Sequence, residues 1–505
     1  MNHIVTSTEA SSDSRPTTTD IRVGAVVGTA DPRLFGSFVE HLGRGVYGGI
    51  YEPGHPSATS AGFRGDVLDL VKELGVTVVR YPGGNFVSGY DWRDGVGPRA
   101  DRPRRLDLAW RSIESNAFGT DEFIEWCRAA DIEPMLAVNM GLGDIRSVLH
   151  LLEYCNYESG TTLSDARARN GSVAPHQVQL WCLGNEIDGP WQLGHRTAEE
   201  YARDANTAAT AMRLLDPDVE LVAVGSSHAE MATLGEWEAT VVRATANQID
   251  HISCHIYFFD EGDLTAYLRS KEKLDGFLDT IAAAIRHAQN ISPSSRTVKI
   301  SLDEWNVWNY RDYDPTRAAS GFVEAPRLLE QDYTAVDAIV VGSLLQSILA
   351  HADVVSIAAL AQLVNAIGAI RTEPGGPAWR QSIFHPFALA AQSAGHTVHH
   401  AEVSGADDAV IATITRNPLG TVARVYLTHR GVDVARTVTL DLSALGGTVI
   451  TSAQVIHHPN PRAVNSAERP MEVAPKVIPV ATADGKFTVV LPPMSWTALS
   501  FELTR

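Results

Sequence analysis

Two glutamates follow apolar segments that lie far apart in the chain. Glu186 comes after the segment Val178–Leu183, and Glu304 comes after Thr297–Leu302. Both segments have the pattern of buried strands, so each strand is predicted to end at a carboxylate. A buried carboxylate is unfavourable unless it is paired or serves a function. A salt bridge to an arginine would explain one such glutamate taken alone. Two strand-end glutamates together indicate acid–base and nucleophilic chemistry.

Further polar side chains stand at the ends of predicted strands. They are Glu40, Arg80, Asn85, Asn139, Asn185, Ser226, Ser227, His228, His255, Tyr257 and Gln362. Aromatic residues accompany them, namely Trp92, Trp110, Trp191, Trp305 and Trp308. Core packing is the favoured role for Trp126 and Trp379. Flat aromatic surfaces beside amides and carboxylates suit a ligand with apolar faces ringed by hydroxyl groups, as in a sugar.

Paired carboxylates without a cofactor motif indicate glycoside hydrolysis by an acid and a nucleophile. The acid must keep its proton near neutral pH, which requires burial or a nearby negative charge. The second carboxylate must stay ionised to attack the anomeric carbon. Hydrogen bonds from Arg80 and Tyr257 would stabilise that charged form.

Metal catalysis and serine hydrolysis are the rival chemistries. His251 and His255 are four residues apart, but on a predicted strand this spacing is not a helical zinc motif, and HExxH does not occur. His41, Glu40 and His255 remain as scattered possible ligands. The G-x-S-x-G motif of a serine hydrolase does not occur either. We therefore predict no metal and no cofactor.

The polar residues must be positioned by strands that alternate with helices, a pattern typical of a βα-repeat. The predicted strands are Leu34–Glu40, Thr77–Tyr81, Pro134–Asn139, Val178–Leu183, Glu220–Val224, His251–Ile256, Thr297–Leu302 and Val354–Ala359. Eight strands favour a closed (β/α)8 TIM barrel, whose active site lies at the carboxyl ends of the strands. A doubly wound sheet is the alternative, but Pro82–Gly84 lacks the phosphate-binding glycine spacing and is instead predicted to be a tight turn before Asn85.

The pattern changes after about residue 392. Short β-rich segments from Val410 to Leu503 are separated by Gly, Pro, Asn and Asp, which indicates an antiparallel β-sandwich. Ile21–Val26 is a candidate strand of the same sandwich, because chain termini often lie close together. The predicted organisation is a disordered tail over residues 1–20, a catalytic barrel over 34–391, and a sandwich made of 21–33 plus 392–505.

Composition narrows the class of protein. The chain has 505 residues, of which 44% are hydrophobic and 20% charged, as in soluble globular proteins of two domains. Its formal net charge of -19 argues against a nucleic-acid partner. Four scattered cysteines, Cys127, Cys155, Cys182 and Cys254, are predicted to be buried and unpaired. The N-terminus does not resemble a signal peptide and no segment is apolar enough to span a bilayer, so a cytoplasmic location without membrane contact is expected.

Five long motifs resemble the α-L-arabinofuranosidases of glycoside hydrolase family 51. They are Phe35–His41, Tyr47–Pro56, Arg80–Phe86, Leu183–Trp191 and Asp303–Trp308. The resemblance runs from about Arg22 through the predicted barrel, includes Gly376–Gln381, and becomes weaker in the C-terminal sandwich.

This resemblance implies a retaining double displacement, with Glu186 as general acid/base and Glu304 as nucleophile. The carboxyl groups of retaining enzymes lie roughly 5–5.5 Å apart. The residues implied to bind or line the sugar site are Glu40, Arg80, Asn85, Trp110, Asn185, His255, Tyr257, Trp308 and Gln362. Family members are intracellular, need no cofactor and commonly form homohexamers.

The implied activity is exo-acting release of terminal α-L-arabinofuranosyl residues from arabinan, arabinoxylan or derived oligosaccharides. An endo-glucanase or β-xylosidase of the same barrel superfamily is the nearest alternative. A carbohydrate-binding protein on an inactive barrel would require a lost carboxylate, and both are present. Two stretches, Ser115–Gly119 and Gln362–Ile370, depart from the family pattern at Ala117 and at Gly368-Ala369. Both departures leave the aglycone preference open.

Overall fold

A computed structural model describes residues 18–309, 321–405 and 407–504 of the chain. The predicted N-terminal tail lies outside the described residues up to position 17. Residues 18–20 belong to the first strand, β1 (Thr18–Thr29), and not to a tail.

Eight parallel strands close into a barrel, as predicted. They are β2 (Gly36–Phe38), β3 (Val78–Tyr81), β6 (Glu133–Ala137), β7 (Leu180–Cys182), β8 (Glu220–Ala223), β9 (His251–Phe258), β10 (Lys299–Val307) and β11 (Val355–Leu360). β2 is shorter than predicted because Pro32–Phe35 forms a 3-10 helix, which Asp31 caps by accepting a hydrogen bond from the Arg33 amide. β10 is longer than predicted and carries Glu304 inside the strand.

Ten helices connect and cover these strands in the described part of the chain. They are α1 (Gly65–Leu74), α2 (Thr120–Ala130), α3 (Ile145–Asn156), α4 (Thr162–Arg169), α5 (Ala198–Leu215), α6 (Glu236–Thr245), α7 (Leu264–Tyr267), α8 (Ser270–Ile291), α9 (Ala335–Ala350) and α10 (Phe384–Ala391). Two small hairpins interrupt the repeat, one of β4 (Arg105–Asp107) and β5 (Ser112–Glu114), the other of β12 (Ile370–Thr372) and β13 (Ala378–Arg380). The first hairpin carries Trp110 to the mouth of the barrel.

The remaining strands form one ten-stranded sheet together with β1. They are β14 (Thr397–Gly405), β15 (Val410–Arg416), β16 (Val422–His429), β17 (Arg436–Asp441), β18 (Gly447–Ile456), β19 (Lys476–Val477), β20 (Val480–Ala483), β21 (Lys486–Leu491) and β22 (Ser495–Thr504). Five strands lie between β22 and β21 in the order of the sheet, yet the rings of Phe487 on β21 and Phe501 on β22 pack with centroids 4.9 Å apart. The sheet therefore folds over an apolar core of its own.

β1 ties the N-terminal segment to this sheet. It pairs antiparallel with β14 and parallel with β17, so the sheet is largely but not wholly antiparallel. The candidate strand Ile21–Val26 lies within β1, where the sequence predicted sandwich pairing.

α9 joins the barrel to the sheet. Its side chains from Ala335 to Leu349 are all buried, as expected for a helix that is apolar on every face. Gln346 donates a hydrogen bond from Nε2 to the backbone oxygen of Tyr426, at 2.9 Å. Gly342 lies against the indole of Trp496, where a Cβ atom would come within 2.3 Å of the ring. The two parts of the fold are thus held by close packing and a buried hydrogen bond.

Candidate active site

Glu186 lies on a tight turn directly after β7. Its backbone φ is +46°, in the left-handed region that L-residues rarely adopt. The turn is closed by a hydrogen bond from the amide of Gly189 to the backbone oxygen of Glu186, at 2.9 Å. A non-glycine residue keeps such a conformation only when its surroundings enforce it, and this occurs most often at functional sites.

Glu304 is placed by an irregularity in β10. The register shifts between Ser301 and Glu304 on the β9 side, and between Leu302 and Trp305 on the β11 side. A bulge of this kind redirects the side chains that follow it. It turns the Glu304 carboxylate toward the arginine and tyrosine described below, while Trp305 is completely buried in the core.

The two carboxylates meet at the centre of the barrel mouth. One oxygen of Glu186, one oxygen of Glu304 and one ring nitrogen of His255 all lie within 4.8 Å of one another. His255 lies between the carboxylates, with Nδ1 2.9 Å from Oε1 of Glu186 and 3.7 Å from Oε1 of Glu304. This closeness agrees with the roughly 5–5.5 Å separation of the carboxyl groups in retaining glycosidases and is shorter than the roughly 6.5–9.5 Å of inverting enzymes.

Glu304 is held in its ionised form. Arg80 donates from Nη1 to Oε1 at 2.7 Å, and the Tyr257 hydroxyl donates to Oε2 at 2.7 Å. Burial favours the neutral acid, but the charges of His255 and Arg80 and these hydrogen bonds outweigh burial and hold the pKa of Glu304 below its ordinary value. An ionised carboxylate is what a nucleophile needs.

Glu186 is the more accessible of the two glutamates. The indole Nε1 of Trp191 donates to its Oε2 at 2.8 Å, and His255 contacts its other oxygen. Burial lowers the pKa of His255, but the negative charges of Glu304 and Glu186 raise it above its ordinary value overall. The shared contact provides a path for a proton between the imidazole and Glu186.

Glu40 forms a third buried carboxyl group in the site. It accepts hydrogen bonds from the amide of Phe86 at 2.9 Å, from Nε1 of Trp110 at 2.8 Å and from Nε2 of Gln362 at 3.1 Å. Burial and the nearby charge of Glu304 raise its pKa to about 8, against these stabilising hydrogen bonds. Glu40 is therefore largely neutral at pH 7 and able to donate a hydrogen bond.

The remaining predicted site residues are brought together as well. Asn185 accepts from Nη2 of Arg80 at 2.6 Å, and its own amide donates to Oδ1 of Asn85 at 3.3 Å. The Trp308 ring meets the Tyr257 ring edge to face, with centroids 5.3 Å apart. Amides, a carboxyl group and aromatic rings thus surround the two central carboxylates.

Two family models match this chain, and curated relatives and solved structures resemble it. The model of the α-L-arabinofuranosidase 1 domain matches residues 70–273, and that of the α-L-arabinofuranosidase C-terminal domain matches residues 303–495. An intracellular exo-α-(1→5)-L-arabinofuranosidase from Streptomyces lividans is 47% identical over 94% of this chain and 73% of its own. An exo-α-(1→6)-L-arabinofuranosidase from Bifidobacterium longum is 46% identical over 94% and 95%.

A solved family 51 α-L-arabinofuranosidase from Bifidobacterium longum superposes with a TM-score of 0.93 at 43% identity, covering 97% of this chain and 100% of that one. The chain belongs to the α-L-arabinofuranosidases of glycoside hydrolase family 51. The family resemblance, the barrel fold and the assignment to the glycoside hydrolases are confirmed.

Within the described residues, no helix has the length and apolar character needed to cross a membrane.

Not every polar or aromatic residue predicted at the barrel rim contributes to this family 51 site. Asn139 uses its side chain to hold its own loop, accepting from the amides of Gly141 and Gly143 at 3.0 Å. Trp92 and Trp305 are buried, and Trp92 packs against Tyr154 with centroids 5.3 Å apart. These three residues were expected near the ligand and instead support the scaffold.

Two buried acids within the family 51 motifs were not predicted as site residues. Asp303 lies 3.7 Å from Nε of Arg80, and burial raises its pKa. Asp188 accepts a hydrogen bond from the amide of Ser227 at 2.9 Å. Both acids stand within motifs that carry the resemblance, one or two residues from a central glutamate, and this position was the only signal for them.

The central cluster of Glu186, His255 and Glu304 also has the spacing of a metal site in the described chain. Its donors are already engaged, because Arg80 and Tyr257 occupy both oxygens of Glu304. A guanidinium at 2.7 Å opposes a second cation at the same oxygen. The donor set therefore suits acid–base chemistry at two carboxylates.

Proposed function

We propose that this chain is a retaining, exo-acting α-L-arabinofuranosidase in which Glu304 is the nucleophile and Glu186 the general acid/base. The observation that carries the proposal is the closeness of the carboxylates, whose oxygens and the His255 nitrogen lie within 4.8 Å of one another. Retaining enzymes need such closeness because the nucleophilic carboxylate attacks the anomeric carbon directly, without a water molecule between them.

The first displacement forms a covalent arabinofuranosyl-enzyme. Glu304 attacks the anomeric carbon as the glycosidic carbon–oxygen bond breaks, and Glu186 transfers its proton to the departing oxygen. In the second displacement, Glu186 removes a proton from water while that water's oxygen attacks the anomeric carbon. The Glu304 carboxylate leaves, and Glu186 regains its proton.

The surrounding residues have proposed roles that follow from their contacts. Arg80 and Tyr257 keep Glu304 ionised and oriented, and His255 exchanges a proton with Glu186. Glu40, Asn85, Asn185 and Gln362 are proposed to bind the furanose hydroxyls, with Trp110 and Trp308 as walls of the pocket. Walls on two sides of the sugar would confine the pocket to a terminal residue, in line with the proposed cleavage at chain ends.

The proposed substrates are terminal, non-reducing α-L-arabinofuranosyl units of arabinan, arabinoxylan and their oligosaccharides. Relatives bear the names of exo-α-(1→5)- and exo-α-(1→6)-L-arabinofuranosidases, and we propose that residues beyond the furanose pocket select the linkage. We also propose a cytoplasmic location, since several relatives are named intracellular, and a homohexameric assembly in line with the family resemblance. Light scattering of the purified chain tests the assembly.

The function is tested with aryl α-L-arabinofuranosides, aryl β-xylosides and a soluble glucan as substrates. The arabinofuranoside should be hydrolysed and the other two should not, and NMR should show the first-formed arabinose in the α-configuration. Preferential cleavage of the xyloside or the glucan would instead favour the alternative glycosidases of this barrel superfamily. EDTA should leave the rate unchanged, whereas loss of activity with recovery on adding a divalent metal would reject the two-carboxylate mechanism.

A further inference from the structure

Asp188 is a buried carboxylate that the proposed mechanism does not use. Its residue is only 4% exposed, and it lies two positions after Glu186 on the same turn. Its carboxylate accepts hydrogen bonds from both the amide and the hydroxyl of Ser227, the amide at 2.9 Å. Ser227 follows β8, the next strand of the barrel, so this contact joins the ends of two neighbouring strands.

The contact continues around Glu186 as a closed ring of residues. His228 follows Ser227, and its imidazole stacks on the indole of Trp191 with centroids 5.7 Å apart and planes at 23°. Trp191 in turn donates from Nε1 to Oε2 of Glu186 at 2.8 Å. The ring therefore starts and ends at the same glutamate, through Asp188, Ser227, His228 and Trp191.

The far side of this ring is fixed to the barrel. The amide of Ser226 donates to Oε1 of Glu238 at 2.8 Å, and Glu238 is completely buried. The amide of His255 donates to the backbone oxygen of Ser226 at 3.1 Å. Ser227 thus follows a residue whose backbone is hydrogen-bonded on both sides, whereas Trp191 is 48% exposed.

We propose that Asp188 is a positioning residue for Glu186. Its hydrogen bonds fix the turn to Ser227 and, through the neighbouring His228, also hold the indole of Trp191. Glu186 is thereby kept in the orientation for proton donation. This inference rests on the proposed role of Glu186 as general acid. It assigns a task to an acid that touches neither the sugar nor the reacting atoms.

The charge of Asp188 acts in the same direction. The titratable groups that face it are Glu186, His255 and Tyr201, and burial raises its own pKa to about 6. Above that pH it is negatively charged. A negative charge near His255 increases the affinity of the imidazole for a proton, and this imidazole contacts Glu186 at 2.9 Å.

The test compares Asp188→Asn, Asp188→Ala and Ser227→Ala with the wild-type enzyme on two substrates. One is an activated aryl arabinofuranoside whose leaving group needs little protonation, and the other is an arabinofuranosyl disaccharide. We expect Asp188→Ala to lower kcat/KM by about 10- to 100-fold for the disaccharide and by less than about 3-fold for the aryl glycoside, because general acid catalysis contributes about 10²- to 10⁴-fold. Ser227→Ala keeps the amide donor and should give the same pattern more weakly.

Asp188→Asn keeps an oxygen that can accept from the Ser227 amide but loses the charge. We expect the basic limb of its kcat/KM profile to move to lower pH by about 0.5–1 unit, since one missing charge is worth about that much. Equal losses on both substrates together with an unchanged basic limb would overturn the proposal. Asp121→Asn is the matched control, because Asp121 accepts hydrogen bonds from Tyr154 and His176 outside the site.

Glu186→Ala is measured in parallel and separates the two proposals. If that variant discriminates between the substrates and Asp188→Ala does not, the inference about Asp188 fails while the role of Glu186 stands. If Glu186→Ala itself loses both activities equally, the proposed function of Glu186 fails. Should Asp188→Ala fold poorly, Asp188→Asn and Ser227→Ala decide the outcome.

Discussion

His255 and Glu186 share a close contact, with Nδ1 of the imidazole 2.9 Å from Oε1 of the carboxylate. The same nitrogen lies 3.7 Å from Oε1 of Glu304, so one imidazole bridges the two proposed reactive groups. The negative charges around His255 raise its pKa, so it is able to carry a proton close to Glu186. A general acid that must release a proton and then recover it benefits from such a neighbour.

Glu186→Ala should affect substrates according to their leaving groups. Without the proposed acid, the disaccharide should lose about 10²- to 10⁴-fold in kcat, while an aryl glycoside with a good leaving group keeps most of its first-step rate. The check is kcat/KM across a series of aryl arabinofuranosides of rising leaving-group pKa, where the variant should show a steeper dependence. Azide should restore turnover of the activated substrate, because it attacks the anomeric carbon without a general base. A slope equal to that of the wild type would contradict the acid role.

Glu304→Ala should abolish turnover of every substrate. Loss of the nucleophile removes the covalent intermediate itself, and we expect kcat to fall by at least about 10⁴-fold for good and poor leaving groups alike. Stopped assays on both substrate types, with circular dichroism to verify folding, check this. Residual activity that depends on the leaving group would move the nucleophile to another residue.

Tyr257→Phe should shift the acidic limb of the kcat/KM profile. The hydroxyl donates to Oε2 of Glu304 at 2.7 Å and stabilises the ionised form, so its removal raises the pKa of Glu304. On acidification the variant should therefore lose activity at a pH about 1 unit higher than the wild type does, because a hydrogen bond to a charged group is worth about that much. Tyr154→Phe removes a similar hydrogen bond to Asp121 and should leave the profile in place. An unmoved acidic limb in Tyr257→Phe would show that another group governs it.

The ends of the barrel strands were predictable because they depend on the local sequence. Glu186 and Arg80 follow or lie in short apolar segments, and closure of a barrel brings such ends together whatever the loops do. The bulge in β10 was not predictable, since Ser301–Glu304 contains no glycine or proline to mark it. The contact of Trp110 with Glu40 was not predictable either, because it depends on how the β4–β5 hairpin folds over the mouth of the barrel. Asp188 and Ser227 meet only through the register of β7 and β8.

Arg33→Ala should lower stability without changing catalysis. At the amino ends of the barrel strands, Arg33 donates from Nη1 to Glu220 and from Nε to Glu133, both at 2.7 Å. This half-buried, bidentate network closes the barrel opposite the active site, so we expect its loss to reduce the free energy of unfolding by about 1–3 kcal/mol. Urea unfolding and kcat measured together check the prediction. Arg469→Ala removes an exposed pair with Glu472 and should change stability by less than about 0.5 kcal/mol. A large fall in kcat for Arg33→Ala would show that the two ends of the barrel are coupled.

Glu40→Gln should weaken substrate binding and raise the free energy of unfolding at neutral and basic pH. Burial and the charge of Glu304 raise the pKa of Glu40 from 4.5 to about 8. A group whose pKa is higher in the folded state contributes its full stability below the unfolded value, and that stability is lost as the pH rises toward 8. Oε1 of Gln362 is buried without a partner, and rotation of its amide would let it accept the proton of a neutral Glu40.

Glutamine carries no titratable proton, so the variant should not show this loss. Its free energy of unfolding should exceed that of the wild type by an amount that grows between about pH 5 and pH 8 and stays constant above, as measured by urea unfolding across that range. KM for arabinofuranosides should rise, because the amide cannot reproduce every hydrogen bond of the carboxyl group to the sugar. A stability difference that does not vary with pH would mean that Glu40 is ionised throughout, with its charge balanced by Trp110 and the Phe86 amide.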